Sequence, residues 1–270
     1  MKLFFQFTLL GLYKFLTIPN QRRLLWLAFI YGNRKKYKHK KLSVSGYDFF
    51  VPDCRSFIWQ FKEIFVEEYY RFGATNDTPV ILDCGANIGT SVIFFKRLYP
   101  KARVTAFEAN SDIADILKEN LNANNIRDVK VIEKAVWINN EGIEIGIEDS
   151  DASSIYKEEN KTKVPSVRLK DILEKEKHID MLKIDIEGAE LEVLNDCKGS
   201  LSIVANMFIE FHSYLMRNQN LGALITILEE NGFRYYVKAN DDRNRPLVNR
   251  KIKSNPEMDL QLNIFAYRTK

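Results

Sequence analysis

Three groups of residues in this sequence have the types and spacing for chemistry. The first is Asp83-Cys84-Gly85-Ala86-Asn87-Ile88-Gly89, which follows the apolar run Val80-Ile81-Leu82. An apolar run that breaks into glycines reads as a buried strand, a tight turn and the start of a helix. Gly85 and Gly89 remove side chains where a ligand or a crossing helix approaches the backbone. The second group is Glu108, at the end of the next predicted strand, 102–108. It lies about 20 residues past the turn, where doubly wound folds present a carboxylate to a ribose hydroxyl pair. The third is an acidic set with one imidazole: Asp185, Glu187 and Glu190 after one strand-like run, Glu210 and His212 at the end of another.

Charge selects the ligand. A dinucleotide fingerprint spaces its glycines G-x-G-x-x-G and seats a pyrophosphate on the helix N-terminus. Here the spacing is Gly85-x-x-x-Gly89, and Asp83 stands at the strand end. A carboxylate there repels pyrophosphate and suits a ligand with an ammonium group and a sulfonium, which describes S-adenosylmethionine (SAM). The P-loop pattern G-x-x-x-x-G-K-[ST] is absent, which argues against a nucleoside triphosphate.

Cofactor-binding positions are therefore expected at Asp83, Gly85, Ala86, Asn87, Gly89, Glu108, Ala135 and Asp185. All fall at or near strand carboxyl ends, where open α/β sheets bind ligands. Methyl transfer to a hydroxyl needs that hydroxyl deprotonated, and histidine has a suitable pKa. His212 is the expected base, with Glu210 orienting it or serving in its place and Asp185 close to the methionine end of the donor. His39 lies in a basic run and His178 precedes its strand, so neither competes. Glu187 and Glu190 are expected to hold the acceptor. The structural alternatives are glycines serving only helix packing, a Lys183–Asp185 ion pair, and Glu187 and Glu190 serving a helix dipole. Carboxylates with one imidazole also suit magnesium or manganese. No ligand spacing is fixed, and no metal is assigned.

Positioning these groups requires a parallel sheet, and strand and helix alternate from about residue 78. Strands are predicted over 80–84, 102–108, from 129 to near Ala135-Val136, over 180–185 and over 204–212. Helices are predicted over about 89–98, from Asn110 or Ser111 to 122–125, and over 170–177, 188–197 and 221–231. The segments 142–147 and 164–169 read as an antiparallel insertion. Two terminal strands, 233–237 and 262–267, have no helix between them, which suits an antiparallel seventh strand inserted beside the fifth. The fold class is α/β, a Rossmann-like class I methyltransferase fold with a mostly parallel seven-stranded sheet and an antiparallel C-terminal strand.

Four segments together resemble the FkbM family: Asp83–Gly89, Phe107-Glu108-Ala109, Lys183-Ile184-Asp185-Ile186-Glu187-Gly188-Ala189-Glu190 and Ile209-Glu210-Phe211-His212. The resemblance covers about residues 78–240, and the Lys183–Glu190 segment is its most specific element. It implies a SAM-dependent methyltransferase acting on a hydroxyl of a sugar, glycan or glycoconjugate, as in polysaccharide biosynthesis. Where the family often has proline after the ribose-binding glutamate, this chain has Ala109, which leaves the carboxylate in place. N-methyl transfer, or a non-catalytic SAM-binding scaffold recruited through the N-terminal arm, stay open as alternatives. A NAD-dependent oxidoreductase is disfavoured by the glycine spacing and Asp83.

At 270 residues, with eighteen phenylalanines, the chain can build a sizeable core. Three scattered cysteines without a C-x-x-C pattern indicate a reducing compartment and no structural zinc. Domain 61–270 is assigned to methyl transfer and residues 1–60 to a helical and basic extension. Lys14, Arg22 and Arg23 interrupt the apolar N-terminus, so it does not read as a membrane span. One or two amphipathic helices broken near Pro19 are expected, followed by the basic stretch Arg34–Lys41. This arm is expected to pack over the domain or a homo-oligomeric partner. The other reading lays it on an anionic membrane surface, peripheral to the inner membrane of a cytoplasmic protein. The net charge of +4 is mild, and no nucleic-acid partner is expected.

Overall fold

The computed structural model describes residues 13, 17–32, 39–147, 153–154, 161–241, 243–253 and 255–269. The first elements are α1 (Pro19–Tyr31), a hairpin of β1 (Lys40–Val44) and β2 (Tyr47–Val51), and α2 (Cys54–Phe61). A π-helical turn, Lys62–Val66, continues α2. Next come β3 (Val80–Cys84), α3 (Thr90–Leu98), β4 (Arg103–Phe107), α4 (Ser111–Ala123) and β5 (Val129–Ile132). Five short strands follow: β6 (Ala135–Trp137), β7 (Ile143–Ile147), β8 (Ser153–Ser154), β9 (Lys161–Val164) and β10 (Ser166–Arg168). The remainder holds α5 (Leu169–Leu173), β11 (Ile179–Ile184), α6 (Glu190–Cys197) and β12 (Val204–Tyr214), then α7 (Leu221–Glu230), β13 (Arg234–Ala239) and β14 (Met258–Tyr267).

Seven strands form the central sheet in the order β13-β14-β12-β11-β3-β4-β5. The neighbours from β12 to β5 are parallel, and β14 runs antiparallel between β12 and β13. This is the expected class I methyltransferase arrangement, with the helix-free terminal pair supplying the inserted strand.

The two faces of the sheet bury different cores, as the two-residue period of a strand requires. One face packs Ile81, Val104, Met181 and Phe208 beneath α1, the hairpin, α2, α3 and α4. The other packs Leu82, Phe107, Leu182 and Ile209 beneath α5, α6 and α7. The same parity sends Asp83, Lys183, Glu210 and His212 to the first face. Lys183 stands directly opposite Asp83 in the ladder, and His212 opposite Gln261.

Several boundaries differ from expectation. The third strand stops at Ile132, because Ala135–Trp137 leaves the sheet to pair in parallel with Ser166–Arg168. Of the expected antiparallel insertion, Ile143–Ile147 pairs with Lys161–Val164, and Pro165 separates that pairing from β10. The helix expected over 170–177 is the shorter α5. Within residues 42–77, for which no element is predicted, the chain also folds into regular structure. There the hairpin, α2 and the π-turn contribute Phe49, Phe57, Phe61 and Phe65 to the first core. Asp53 caps α2 by accepting from Arg55 N (3.0 Å) and Ser56 Oγ (3.1 Å).

Candidate active site

A cavity of about 970 Å³ opens over the carboxyl ends of β3, β4, β11 and β12. Its floor is the turn after β3. Gly85 has φ +82°, and a Cβ there would fall 1.8 Å from Asp185 O, so only glycine lets the turn pass beside the end of β11. Gly85 N and Ala86 N both donate to Phe107 O, at 3.0 and 2.8 Å. Asn87 N donates to Glu108 Oε2 and Asn110 N to Glu108 Oε1, each at 2.9 Å. Glu108 is thereby fixed on the cavity wall beside Ala109, Ile113, Ala135 and Val136. Burial raises its pKa above the ordinary carboxylate range, against the pull of those backbone donors. Gly85, Ala86, Asn87, Glu108, Ala135 and Asp185 all line the cavity as expected positions. Gly89 does not line it; it starts α3 at φ +84° and packs against Leu117.

Asp83 is placed differently from expectation. It is fully buried beneath the cavity, not on its wall. Its Oδ2 accepts from Ser91 Oγ (2.5 Å), and its Oδ1 lies 3.3 Å from Lys183 Nζ. Lys183 is itself buried and donates to Gly85 O (2.7 Å), with Asp185 Oδ2 at 3.3 Å. Burial opposes the ammonium charge, but Asp185 and Asp83 outweigh it and hold the pKa above that of an ordinary lysine. Asp83 therefore meets Ser91 and Lys183, and these two residues reach the cavity.

The turn from β11 into α6 brings in the remaining carboxylates. The strand ends at Ile184, yet Asp185 and Glu187 both face the cavity. Glu187 takes a left-handed backbone, φ +56°, ahead of Gly188 at φ +107°. Such a conformation in a non-glycine residue costs of order 1 kcal/mol and gathers at functional sites.

Glu190, expected against the acceptor, is instead buried. Its Oε1 accepts from Gly188 N (3.0 Å), Ile186 N (3.2 Å) and His212 Nδ1 (3.1 Å). It is the clasp of its own turn. His212 is buried too and is not among the residues lining the cavity. Its Nε2 lies 3.6 Å from Glu187 Oε2. Burial alone would lower its pKa, but Glu187 and Glu190 outweigh burial and hold it well above the ordinary histidine value. His212 therefore faces Glu187 and not the cavity, so the structure does not bring the expected base to the acceptor space.

Glu187 is the better-placed proton acceptor. Burial raises its pKa to about 7, with Asp185 and Glu190 adding and His212 opposing. Glu210 also lines the cavity; its Oε1 accepts from Gln261 (2.5 Å) and Asn240 (2.8 Å). Burial and then Asp185 raise its pKa well above the carboxylate range. Donor atoms of Asp185, Glu187 and His212 lie within 4.8 Å of one another. Two carboxylates and one imidazole at that spacing could hold a divalent cation.

Sequence reasoning missed the wall opposite. Trp59, Gln60 and Glu63 reach the cavity from α2 and the π-turn, Tyr70 follows them, and Asn240 and Asp241 come from the end of β13 and the loop after it. Burial raises the Glu63 pKa to about 7, with Asp185 adding to it. The findable signal was the Asp53 cap followed by phenylalanines at 57, 61 and 65, a helical spacing.

Comparison with known proteins supplies an independent line. A family model described as the methyltransferase FkbM domain matches residues 83–235. Methyltransferase sdnD of Sordaria araneosa is 28% identical over 188 residues, 56% of this chain and 73% of that protein. Methyltransferase 1 of Beauveria bassiana is 24% identical over 207 residues, covering 67% and 82% of the two chains. Among solved structures, methyltransferase FkbM from Methylobacillus flagellatus aligns at 16% identity and a TM-score of 0.44, over 91% of this chain and 58% of that one.

Proposed function

The chain belongs to the FkbM methyltransferase family and is a SAM-dependent enzyme, and we propose that it methylates a hydroxyl group of a sugar, glycan or glycoconjugate. The cavity fits the donor. Glu108 is pinned by two backbone donors with lone pairs left for a ribose hydroxyl pair, and Ile113, Ala135 and Val136 offer an apolar slot beside it. Asp185 and the Gly85–Asn87 backbone would hold the amino-acid end. The donor, when bound, supplies an electrophilic methyl group on a positively charged sulfur.

The observation that carries the acceptor reading is the far wall, where Trp59, 57% exposed, shares the cavity with Glu63, Glu187 and Glu210. An indole face covers the apolar side of a sugar ring. Carboxylates accept hydrogen bonds from its hydroxyls. Glu187 then takes the proton of the reacting hydroxyl on its carboxylate oxygen, with a pKa near working pH. His212, fixed through Nδ1 by Glu190, orients Glu187 and favours its ionised form against burial.

The test is a screen with methyl-labelled SAM against neutral oligosaccharides and nucleotide sugars. The expected product is an alkali-stable methyl ether, and Trp59→Ala should raise the acceptor KM while leaving SAM affinity unchanged. Label appearing only on amines would replace this reading with N-methyl transfer.

A further inference from the structure

Helix α1 has two apolar faces. Asn20, Leu24 and Leu27 are buried, and Asn20 Nδ2 donates to Phe65 O (2.7 Å), which seats that face on the π-turn behind α2. The other face presents Leu25, Trp26 and Phe29, exposed by 47%, 51% and 91%. Arg22 and Arg23 are exposed in the turn just before them. Trp26 meets the Tyr31 ring edge-on at 6.0 Å, and Lys40 Nζ lies 4.9 Å from the centre of that ring. Aromatic and cationic groups thus form one continuous patch.

The sequence that carries this patch has charge of one sign as far as residue 47. Ten lysines and arginines precede Asp48, the first acidic residue of the chain. The overall +4 is therefore a +10 segment joined to a −6 remainder. No described helix is long and apolar enough to cross a membrane.

We propose that the outer face of α1 docks the enzyme on the surface of an anionic lipid bilayer. Leu25, Trp26 and Phe29 enter the boundary between headgroups and acyl chains, and the neighbouring cations meet anionic headgroups. A second copy of this chain would bring an equally basic segment against the first in a two-fold interface, so charge favours an anionic partner. A phosphate polymer would satisfy the cations but give Leu25 and Phe29 nothing to bury against. The wall of the active-site cavity is α2, on which α1 is seated, so docking would hold the site close to the lipid surface.

Cosedimentation of the full chain with vesicles of neutral phosphatidylcholine, with and without anionic phosphatidylglycerol, tests this. Binding is expected only with the anionic lipid, and it should fall steeply between roughly 0.05 and 0.5 M salt. The pair Trp26→Ala and Phe29→Ala should lower partitioning about tenfold or more. Arg22→Glu with Arg23→Glu should lower it about 30-fold, each lost basic group counting about fivefold. SAM affinity should stay at the wild-type value in every variant, which shows that the fold survives. Absence of vesicle binding, indifference to lipid charge, or variants that bind like wild type would each overturn the proposal. So would a wild-type dimer that these substitutions convert to monomer without any lipid binding; the face would then belong to a second copy.

Discussion

Replacing His212 with glutamine separates two roles that this position can play. A base at His212 would be lost at every pH. In the structure His212 is buried 3.6 Å from Glu187 Oε2 and 3.1 Å from Glu190 Oε1, carboxylates that push its pKa well above the ordinary histidine value and favour its cationic form. At 3.6 Å, unit charges at an effective dielectric of 20 interact by about 4.6 kcal/mol. The Glu187 side chain is 30% exposed, so solvent screens the pair, and about half of that, ~2.3 kcal/mol, is the working figure. One pKa unit corresponds to about 1.4 kcal/mol, so losing the cation should raise the Glu187 carboxyl from about 7 to between about 8 and 9. Glutamine keeps a donor for Glu190, which limits the damage to the turn.

The sign follows from which form of Glu187 is active. The carboxylate accepts the proton, so the rate rises with pH through the pKa of Glu187, and a raised pKa moves that limb upward. Near pH 7 the variant should be slower by roughly 5- to 50-fold, and most of the gap should close by about pH 10. The assay is the pH profile of kcat on an oligosaccharide acceptor, paired with a carbon NMR titration of labelled glutamates assigned through Glu187→Gln. A loss that persists unchanged at high pH would refute this reasoning and restore His212 as the base. An unmoved Glu187 titration would show that the two groups are not coupled.

Glu108→Gln keeps the size but removes the charge that a ribose hydroxyl pair would meet and turns an amide NH2 toward Asn87 N or Asn110 N, so SAM affinity should fall about 10- to 150-fold by calorimetric titration. Lys183→Met removes the cation between Asp83, Asp185 and Gly85 O, leaving Asp83 buried and uncompensated. The variant should be about 3–5 kcal/mol less stable in denaturant melts, and Lys183→Met with Asp83→Leu should recover part of the loss.

The fold was legible because parallel strands buried on both faces announce themselves as short apolar runs, and glycines mark where they turn. Two-residue alternation already placed Lys183 and Asp185 on one face, and the strand ends predicted the convergence of Glu108, Asp185 and Glu210. What the linear pattern did not resolve is which carboxylates are consumed internally. Asp83 neutralises Lys183, and Glu190 closes its own turn onto His212. Both facts depend on partners met only across the sheet. His212 looked like a free imidazole at a strand end; two acids contributed from the β11–α6 turn favour its cationic form. The helix behind Trp59 and Glu63 had a sequence signal, but its place on the cavity wall did not. It precedes β3 and reaches the cavity only because the aromatic face of α2 packs on the sheet.

The charge inventory of the site leads to one more consequence. Asp185, Glu63, Glu187 and Glu210 line the cavity; Lys183 and His212 face Asp185 and Glu187 from within the fold, Lys62 and Lys238 act on Glu63, and Arg55, Lys134 and Lys253 also line the cavity. Burial and mutual repulsion hold Glu63 and Glu187 at about 7, so near neutrality each keeps part of its proton. A ligand carrying positive charge favours their ionised forms and should expel those protons. SAM and its demethylated product S-adenosylhomocysteine differ at the reacting centre by a sulfonium against a neutral thioether, which makes them a matched pair. Calorimetry near pH 7 in buffers of different ionisation enthalpy should show more protons released with SAM than with the product. SAM affinity should rise as pH increases through about 7, and the product's affinity should change less. Equal proton release for the two ligands would mean that the carboxylates do not sense the sulfonium, and would remove them from its surroundings.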